Sequence, residues 1–378
     1  MYKAYKFRLY PNDEQKILIN KCIGCSRFVY NYYLTYIKDN KFINANACIK
    51  DYVNYLKYQY PFLVEVDSII IRKTLFNLED AFKRYFNKQG NYPKYKTKYQ
   101  KNSYNTSAVY RDYKEKKYCN IELNLTNKQI KLPKLKWINI RGYRTLKEVK
   151  GRIINATISR ESNGKYYVSV LYEIPSIQNN YIIPKSIVGL DLGIKKLITL
   201  SDGTVFDNNK YILKYEKRIK RLQRSLARKV KKSKNYYKCK QQLAILYRKL
   251  KNARNYYLHK ITKEITDNSD IIVTEKLQTK NMIQNKKLSK SIQDASFHEI
   301  IRQLQYKTKN KGKYFYQIDT FYPSTQMCSV CGNIDSKYKD LKEREYQCCN
   351  CDNTLDRDLN ASINIMFEGL KLHMKNFT

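Results

Sequence analysis

Two Cys-x-x-Cys pairs near the C-terminus constrain the fold of this chain more than any other feature of its sequence. The pairs, Cys328/Cys331 and Cys348/Cys351, are separated by the sixteen residues 332–347. Four thiolates at this spacing predict a tetrahedral zinc ribbon, because so short a segment cannot bury a core of its own. Four thiolate ligands leave no open position, so we expect a structural zinc. Cys349 could compete as a ligand, but Cys348/Cys351 keeps the two-residue gap in both pairs.

The remaining cysteines predict free thiols. The chain has ten cysteines in 378 residues, which favours a reducing compartment over a disulfide framework. Cys22 and Cys25 form a third Cys-x-x-Cys, but they lie in a helical pattern with no second pair nearby. We interpret these two as buried core thiols.

The charge of the chain predicts a polyanionic partner. Lys and Arg number 74 against 33 Asp and Glu, a formal net charge of +41. Such a field favours nucleic acid, since neutralised phosphates release condensed counterions. Compositional drift in AT-rich coding could favour Lys over Arg, but it does not explain the few carboxylates. The chain has no run of about 18 apolar residues, so we expect no membrane span. We expect a cytoplasmic protein, associated with the nucleoid when it binds DNA.

The first third of the chain predicts a strand followed by helices. Residues 3–9 alternate like an edge strand, and Asn12 with Gln15 predicts a capping box for a helix. Helices continue to about Lys88. The last predicted helix, 68–87, has basic residues that are candidates for nucleic-acid contact: Arg72, Lys73, Lys83 and Arg84.

The Tyr- and Lys-rich stretch 88–118 has little apolar periodicity. It could be a solvated loop or a segment lining a nucleic-acid groove, and we favour the groove. Residues 121–175 contain short β-branched runs that predict an antiparallel barrel or sandwich, and we expect the N-terminal strand to join it. Residues 162–165 predict a hairpin turn. The helical stretch 12–118 would then be an insertion into this β domain.

Carboxylates lie within or at the end of two predicted buried strands, and two more precede a predicted helix. Asp191 lies in an apolar run, Glu275 ends another, and Asp356 and Asp358 lead into a third element. A carboxylate among apolar neighbours is costly unless it is paired or holds a cation. We expect Gly189 and Gly193 to leave room there for a phosphate backbone and a metal ion.

The order strand-Asp, strand-Glu, helix-Asp suits phosphodiester hydrolysis with two Mg²⁺ or Mn²⁺ ions, about 3.5–4 Å apart. The three histidines, His259, His298 and His373, lie away from these motifs. Histidine-based chemistry is therefore a poor competitor. A basic helical hairpin with its turn near 229–235 is predicted between the two strand carboxylates.

Several motifs resemble one family. The residues 1–11 (MYKAYKFRLYP), 25–31 (CSRFVYN) and GLDLGIKK, VTEKL, PSTQMCSVCG and CDNTLDRDLNASINI are similar to motifs of TnpB proteins. These are OrfB-like, transposon-encoded nucleases related to type V CRISPR effectors. The resemblance runs essentially end to end. One departure is Asp352, where the family usually has Gly after the last cysteine.

The resemblance implies an α+β multidomain fold. It implies a β-barrel wedge domain (1–11 and 119–180) interrupted by a helical recognition domain (12–118). An RNase H-like, RuvC-like nuclease domain (181–321 and 356–378) would follow, with an inserted zinc ribbon (322–355).

The resemblance also implies a catalytic triad of Asp191, Glu275 and Asp358, with Asp356 as the alternative third ligand. The implied protein is a Mg²⁺-dependent (or Mn²⁺-dependent) DNA endonuclease, a monomeric ribonucleoprotein with structural Zn²⁺. Its guide RNA would derive from the transposon end, and its DNA target would adjoin a short flanking motif. A guide-dependent repressor that does not cut and a transposition accessory factor are the alternatives. The presence of all three carboxylates argues against the first, and the lack of a His-hydrophobe-His motif argues against a transposase.

Overall fold

The structure is a computed structural model that describes residues 1–40, 44–99, 102–113, 116–142, 151–175, 183–285, 288–339 and 343–376. The chain forms two compact units, Met1–Ser176 and Ile177–Thr378. Both contain helices and sheets, as expected for an α+β fold. The predicted boundary between residues 180 and 181 lies outside the described residues, and the finer domain division remains a prediction.

The helices of the first unit follow its N-terminal strand, β1 (Tyr2–Tyr10). They are α1 (Asp13–Asn40), α2 (Ala45–Asp51), a π-helical turn (Tyr52–Leu56), α3 (Lys57–Gln59), a 3₁₀ turn (Pro61–Glu65) and α4 (Ser68–Phe86). The predicted capping box is confirmed: the Gln15 N–H donates to Asn12 Oδ1 at 2.8 Å, and the Asn12 N–H donates to Gln15 Oε1 at 3.1 Å. Cys22 and Cys25 are buried, as predicted.

The remaining strands of the first unit are mostly short. They are β2 (Asn102–Ser107), β3 (Tyr110–Tyr113), β4 (Lys116–Cys119), β5 (Glu122–Asn124), β6 (Gln129–Leu132), β7 (Lys136–Arg141), β8 (Arg152–Arg160) and β9 (Tyr166–Glu173). Seven strands form an antiparallel sheet in the order β2-β8-β9-β1-β7-β6-β5. Strand β1 pairs with both β9 and β7, so the N-terminal strand joins the sheet. The predicted hairpin turn is confirmed by Gly164, whose φ is +79°.

The predicted barrel is not confirmed. Among the described residues β2 and β5 are the edges of the sheet, and they do not pair with each other. Helices α1 and α4 share the core of this unit with the sheet, through Leu34 and Leu75 on the helices and Phe7 and Val168 on the strands. Burial by helices thus supplies the cover that barrel closure would otherwise provide.

No regular structure was expected in the stretch 88–118, but part of it forms strands. Strand β2 pairs with β8 along its whole length, and β3 pairs with β4. Tyr104 and Thr106 point into the core while their neighbours are half-buried. Apart from Tyr104, β2 consists of Asn, Ser and Thr, so its sequence has no apolar alternation that would predict a strand.

The second unit begins with β10 (Ile187–Leu192), β11 (Lys196–Leu200) and β12 (Val205–Asp207). Its further elements are α5 (Tyr211–Ala227), α6 (Lys234–Asn268), β13 (Ile271–Glu275), α7 (Thr279–Gln284), α8 (Ser289–Ala295), α9 (Phe297–Asn310), β14 (Tyr314–Ile318), a 3₁₀ turn (Ser336–Lys339), β15 (Glu345–Gln347), β16 (Thr354–Asp356) and α10 (Arg357–Lys375). The predicted helical hairpin is α5 and α6, which pack through Ile219, Leu246 and Leu250.

The central sheet of the second unit has the order β12-β11-β10-β13-β14. Strands β10, β11 and β12 are antiparallel, whereas β10, β13 and β14 are parallel. Parallel neighbours end at the same edge of a sheet, so β10 and β13 bring their C-terminal residues to one place. Strands β15 and β16 form a separate hairpin that leads directly into α10.

Helix α10 packs unusually close to this sheet. A Cβ atom on Gly189 of β10 would lie 2.1 Å from the Ser362 carbonyl oxygen and 2.6 Å from the Met366 nitrogen, both in α10. A Cβ atom on Gly369 of α10 would lie 2.2 Å from a methyl carbon of Val273 in β13. The expectation that Gly189 leaves room for phosphate and metal is therefore wrong, because α10 fills that space.

Gly193 also has a different role from the predicted one. Its Cβ would lie 2.7 Å from the Lys196 carbonyl oxygen, so this glycine allows the tight turn between β10 and β11. None of the described helices is long and apolar enough to cross a membrane.

We predict that Gly189→Ala lowers the free energy of unfolding by at least about 2 kcal/mol, because rigid helix backbone would have to move away from β10. Urea denaturation of the purified chain measures this. The matched control is Gly24→Ala inside α1, where a Cβ has nothing within 4 Å. That substitution should stabilise by about 0.5–1 kcal/mol. Equal stabilities for the two variants would contradict the close packing of α10.

Candidate active site and metal centre

Asp191 and Glu275 lie side by side at the ends of neighbouring strands. Leu190 of β10 pairs with Thr274 of β13 in parallel register, and the two carboxylates are the next residues along. Both side chains are half-buried. The strands end here because β10 turns at Gly193 and the chain leaves the sheet after Glu275. The sheet thus brings together two of the three predicted catalytic carboxylates.

The third carboxylate comes from the first turn of α10. Asp356 is the N-cap of this helix: its Oδ1 accepts hydrogen bonds from the N–H groups of Asp358 at 3.0 Å and Leu359 at 3.2 Å. Because Asp358 follows the cap by two residues, the packing of α10 on β10 carries it to the same edge of the sheet. Asp358 lies 3.5 Å from Arg357 Nη2 and 3.9 Å from Arg344 Nη1.

The three carboxylates repel one another. Burial raises the pKa of Asp191 to about 8, with further contributions from the negative charges of Glu275 and Asp358, while Arg357 opposes them. Burial also raises the pKa of Glu275, and a hydrogen bond from Ser324 opposes that shift. Neither Asp191 nor Glu275 has an ion-pair partner in the part of the chain that the structure describes. A divalent cation would reverse these shifts.

The donor set fits a hard cation. Mg²⁺ takes oxygen ligands and is typically held by one or two carboxylates together with substrate phosphates. Within the described ranges, only the cysteine cluster has the ligand atoms of three or more residues all within 4.8 Å of one another. The ligand atoms of the three carboxylates do not form such a compact group.

Asp356 has a different environment from Asp358. Its Oδ2 accepts a hydrogen bond from Lys196 Nζ at 2.7 Å, and its other oxygen caps α10. Burial raises its pKa, but the Lys196 ammonium and the helix N–H groups outweigh that effect and lower the pKa below its usual value. Both oxygens of Asp356 are thus engaged, whereas the arginine contacts of Asp358 involve its Oδ1 alone. The choice of Asp358 as the third ligand remains a prediction.

Ser324 and two asparagines near the carboxylates were not expected from the sequence. The Ser324 hydroxyl donates a hydrogen bond to Glu275 Oε1. Asn360 and Asn364 of α10 are both buried and donate to the Met327 carbonyl oxygen, at 2.8 Å and 2.6 Å. The only sequence signal is their position in the PSTQMC and DLNASIN motifs, since their partners lie far away along the chain.

The four predicted zinc ligands form a compact cluster. The Sγ atoms of Cys328, Cys331, Cys348 and Cys351 all lie within 4.8 Å of one another. The Cys328–Cys351 and Cys331–Cys348 distances are 3.6 Å and 3.5 Å. Tetrahedral zinc with Zn–S bonds of about 2.3 Å requires S···S distances of about 3.8 Å, so the cluster fits zinc closely. Cys349 lies outside this cluster, and its sulfur accepts a hydrogen bond from Asn333.

The two cysteine pairs have the same loop geometry. The Cys328 N–H donates to the Asn333 carbonyl oxygen at 2.8 Å, and the Cys348 N–H donates to that of Asn353 at 2.9 Å. Gly332 follows the first pair with φ of +76°, and Asp352 follows the second with φ of +51°. Asp is one of the few residues that tolerate this region, so the substitution for Gly at this position leaves the loop intact.

The candidate nucleic-acid residues lie on α4. Arg72, Lys83 and Arg84 are exposed, whereas Lys73 is half-buried. Lys83 pairs with Glu79 of the same helix at 3.5 Å. Their role in binding remains a prediction.

In the stretch 88–118, Lys96 is an exposed residue whose ammonium group nevertheless contacts α1. Its Nζ lies 3.6 Å from the centroid of the Tyr30 ring in α1, and burial lowers its pKa to about 8. The backbone of Lys96 also exchanges hydrogen bonds with the Asn31 side chain, so this residue packs on α1. That the segment lines a nucleic-acid groove remains a prediction.

Comparison with known families places these features in a class. The model described as "Probable transposase" (OrfB of IS605) matches residues 169–286, which include Asp191 and Glu275. The model "Cas12f1-like, TNB domain" matches residues 297–365, which include the four cysteines and Asp358. A model described as "Helix-turn-helix domain" matches residues 1–40, where the structure has β1 and the single helix α1. The class is that of transposase-related proteins with a Cas12f1-like domain.

Curated relatives define the family. A Streptomyces pristinaespiralis protein named as a candidate RNA-guided DNA endonuclease is 30% identical over 97% of this chain and 89% of its own length. InsQ of Escherichia coli K12, named in the same way, is 32% identical over 97% of this chain and 92% of its own. The chain therefore belongs to the TnpB, or OrfB-like, family.

A solved structure shares the fold. The cryo-EM structure of a Cas12f1–sgRNA–target DNA complex contains a chain with a TM-score of 0.57 and 14% identity. The similarity covers 97% of this chain and 98% of that one. At this identity the match concerns the fold alone.

We predict that Cys348→Ser lowers the zinc content of the purified protein, because three thiolates hold zinc much more weakly than four. Inductively coupled plasma mass spectrometry measures the metal-to-protein ratio. Cys349→Ser is the matched control and should retain the zinc content of the unaltered chain. Zinc loss in the Cys349 variant, with none in the Cys348 variant, would reverse the ligand assignment.

Proposed function

We propose that this protein is an RNA-guided DNA endonuclease that uses Mg²⁺ to hydrolyse phosphodiester bonds. The observation that carries the proposal is the convergence of Asp191, Glu275 and Asp358. Burial, followed by the charges of Glu275 and Asp358, raises the pKa of Asp191 to about 8. Asp191 and Glu275 have no ion-pair partner among the described residues, so holding the three carboxylates together is costly, and a divalent cation would offset that cost.

The residues would share the work as follows. Asp191 and Glu275 at the ends of β10 and β13, together with Asp358 in the first turn of α10, would hold the ions. Two bound Mg²⁺ ions would supply an activated water and stabilise the leaving oxygen. The sheet and α10 hold the carboxylates before substrate arrives, so little reorganisation is needed during the reaction. Lys196 neutralises Asp356 and keeps it out of the site.

Guide RNA and target DNA are the proposed partners. The relatives' names and the net charge of +41 support this assignment. Base pairing would select the target sequence, whereas the protein would read the shape of the duplex and a short flanking motif. The guide would derive from the transposon end, and Arg72, Lys73, Lys83 and Arg84 remain candidate contacts. We propose a monomeric ribonucleoprotein.

The domain division given by the resemblance is part of the proposal. Strands β12-β11-β10 are antiparallel and β10-β13-β14 parallel, an order that supports an RNase H-like, RuvC-like nuclease domain at 181–321 and 356–378. The compact cysteine cluster supports a structural zinc ribbon at 322–355. Residues 1–11 and 119–180 would form the wedge domain and 12–118 the recognition domain, although β2 lies within the sheet.

We predict that Asp191→Ala and Asp358→Asn each lower the rate of target cleavage by more than about 100-fold, because each removes an ion ligand. Cleavage of a labelled duplex with a matched guide in Mg²⁺ measures the rate. Asp356→Asn is the control, since Asn also caps helices and keeps the shape. Its rate should stay within about tenfold of the unaltered protein. Loss of cleavage in the Asp356 variant alone would make Asp356 the third ligand.

We further predict that RNA co-purifies with both the unaltered protein and Asp191→Ala, because the substitution changes the cleavage site and not the basic surface. Sequencing that RNA identifies the guide. A preparation without RNA would contradict the guided mechanism. A preparation that binds its target with the guide but never cuts would support the repressor alternative.

A further inference from the structure

We infer that Ser324 is a positioning residue that holds the Glu275 carboxylate for cation binding, and that α10 holds Ser324 in place through Asn364. This inference rests on the proposed function, since it concerns the same cation site. It assigns a role to the segment between β14 and the first zinc cysteine.

Ser324 contacts Glu275 from a rigid position. The residue is 3% exposed, and its hydroxyl donates to Glu275 Oε1. The hydrogen bond uses one carboxylate oxygen and leaves the other for a cation. The backbone of Glu275, the last residue of β13, pairs with Ile318 of β14, but this pairing does not restrain the side chain. The Ser324 hydroxyl supplies that restraint.

Helix α10 fixes Ser324 through its backbone. The Asn364 side-chain amide donates to the Ser324 carbonyl oxygen at 2.8 Å and to the Met327 carbonyl oxygen at 2.6 Å. Asn364 itself is 2% exposed, and its partners are backbone atoms. Satisfied buried amides of this kind define one arrangement of the groups they join.

Asn360 extends the same anchoring to the cysteine cluster. Its Nδ2 donates to the Met327 carbonyl oxygen at 2.8 Å, and its Oδ1 accepts from the Ser329 N–H at 2.9 Å. Cys328, a member of the cluster, lies between these two residues. The segment 324–329 therefore links the cysteine cluster, α10 and Glu275 in one set of hydrogen bonds.

The hydroxyl should matter for affinity because the surrounding charges act against the observed position. Glu275 lies beside Asp191, and repulsion favours a rotation of its carboxylate away from the site when no cation is bound. Partners that orient ligating carboxylates typically contribute about 10–100-fold to metal affinity.

The test measures Mn²⁺ binding to the full chain loaded with zinc, by electron paramagnetic resonance of free Mn²⁺. Ser324→Ala should weaken binding by about 10–100-fold. Ser324→Thr keeps the hydroxyl and should stay within about threefold of the unaltered chain, whereas Ser324→Val should resemble Ala. Because Thr and Val have the same shape, this pair isolates the hydroxyl even if the extra methyl group destabilises both.

Ser26→Ala is the matched control. It removes a buried hydroxyl that hydrogen-bonds to Thr74 in the first unit, and it should leave Mn²⁺ binding unchanged. Equal Mn²⁺ affinity of the Thr and Val variants would overturn the inference. If the unaltered chain binds Mn²⁺ no better than Asp191→Ala, the proposed function fails as well. If it binds and Ser324→Val binds equally, only the positioning role fails.

Discussion

The structure of the second unit depends on how closely α10 approaches its sheet. Gly189 on β10 and Gly369 on α10 remove the side chains that would hold helix and strands apart. This contact has a precise consequence for the site, because Asp358 is in the first turn of the same helix. A displacement of α10 by the width of a methyl group would move one carboxylate away from the other two. The close packing of α10 on the sheet therefore also determines where Asp358 lies relative to the other two carboxylates.

Repulsion among the carboxylates destabilises the second unit, and hydrophobic packing elsewhere in that unit offsets it. Burial raises the pKa of Asp191, and the like charges of Glu275 and Asp358 raise it further. Hydrophobic packing of Ile271, Val273 and Ile365 keeps the strands and α10 together despite that repulsion. A protein with a net charge of +41 could easily have placed a lysine between these carboxylates. Lys196, at the start of β11, pairs with Asp356 instead.

The sequence was sufficient for features with a local pattern. The cysteine spacing predicted the four thiols of the cluster. A carboxylate within one apolar run and another at the end of a second run predicted Asp191 and Glu275, which the sheet places side by side. It failed where a residue's role depends on distant partners. Gly189 contacts residues more than 170 positions away, so its neighbours in sequence gave no information about the helix above it. Strand β2 was missed because its residues are polar, and the barrel was expected because strand order is not a local property.

The cysteine-cluster segment enters and leaves the second unit at nearly the same point. Its entry is tied to Asn360 and Asn364, and its exit is Asp356, which caps the same helix. One end of α10 thus acts as a common base for both junctions. An insert mounted in this way can change length or sequence between its junctions without altering the distances among the carboxylates. Relatives could therefore carry a different segment between these junctions and keep the same arrangement of carboxylates.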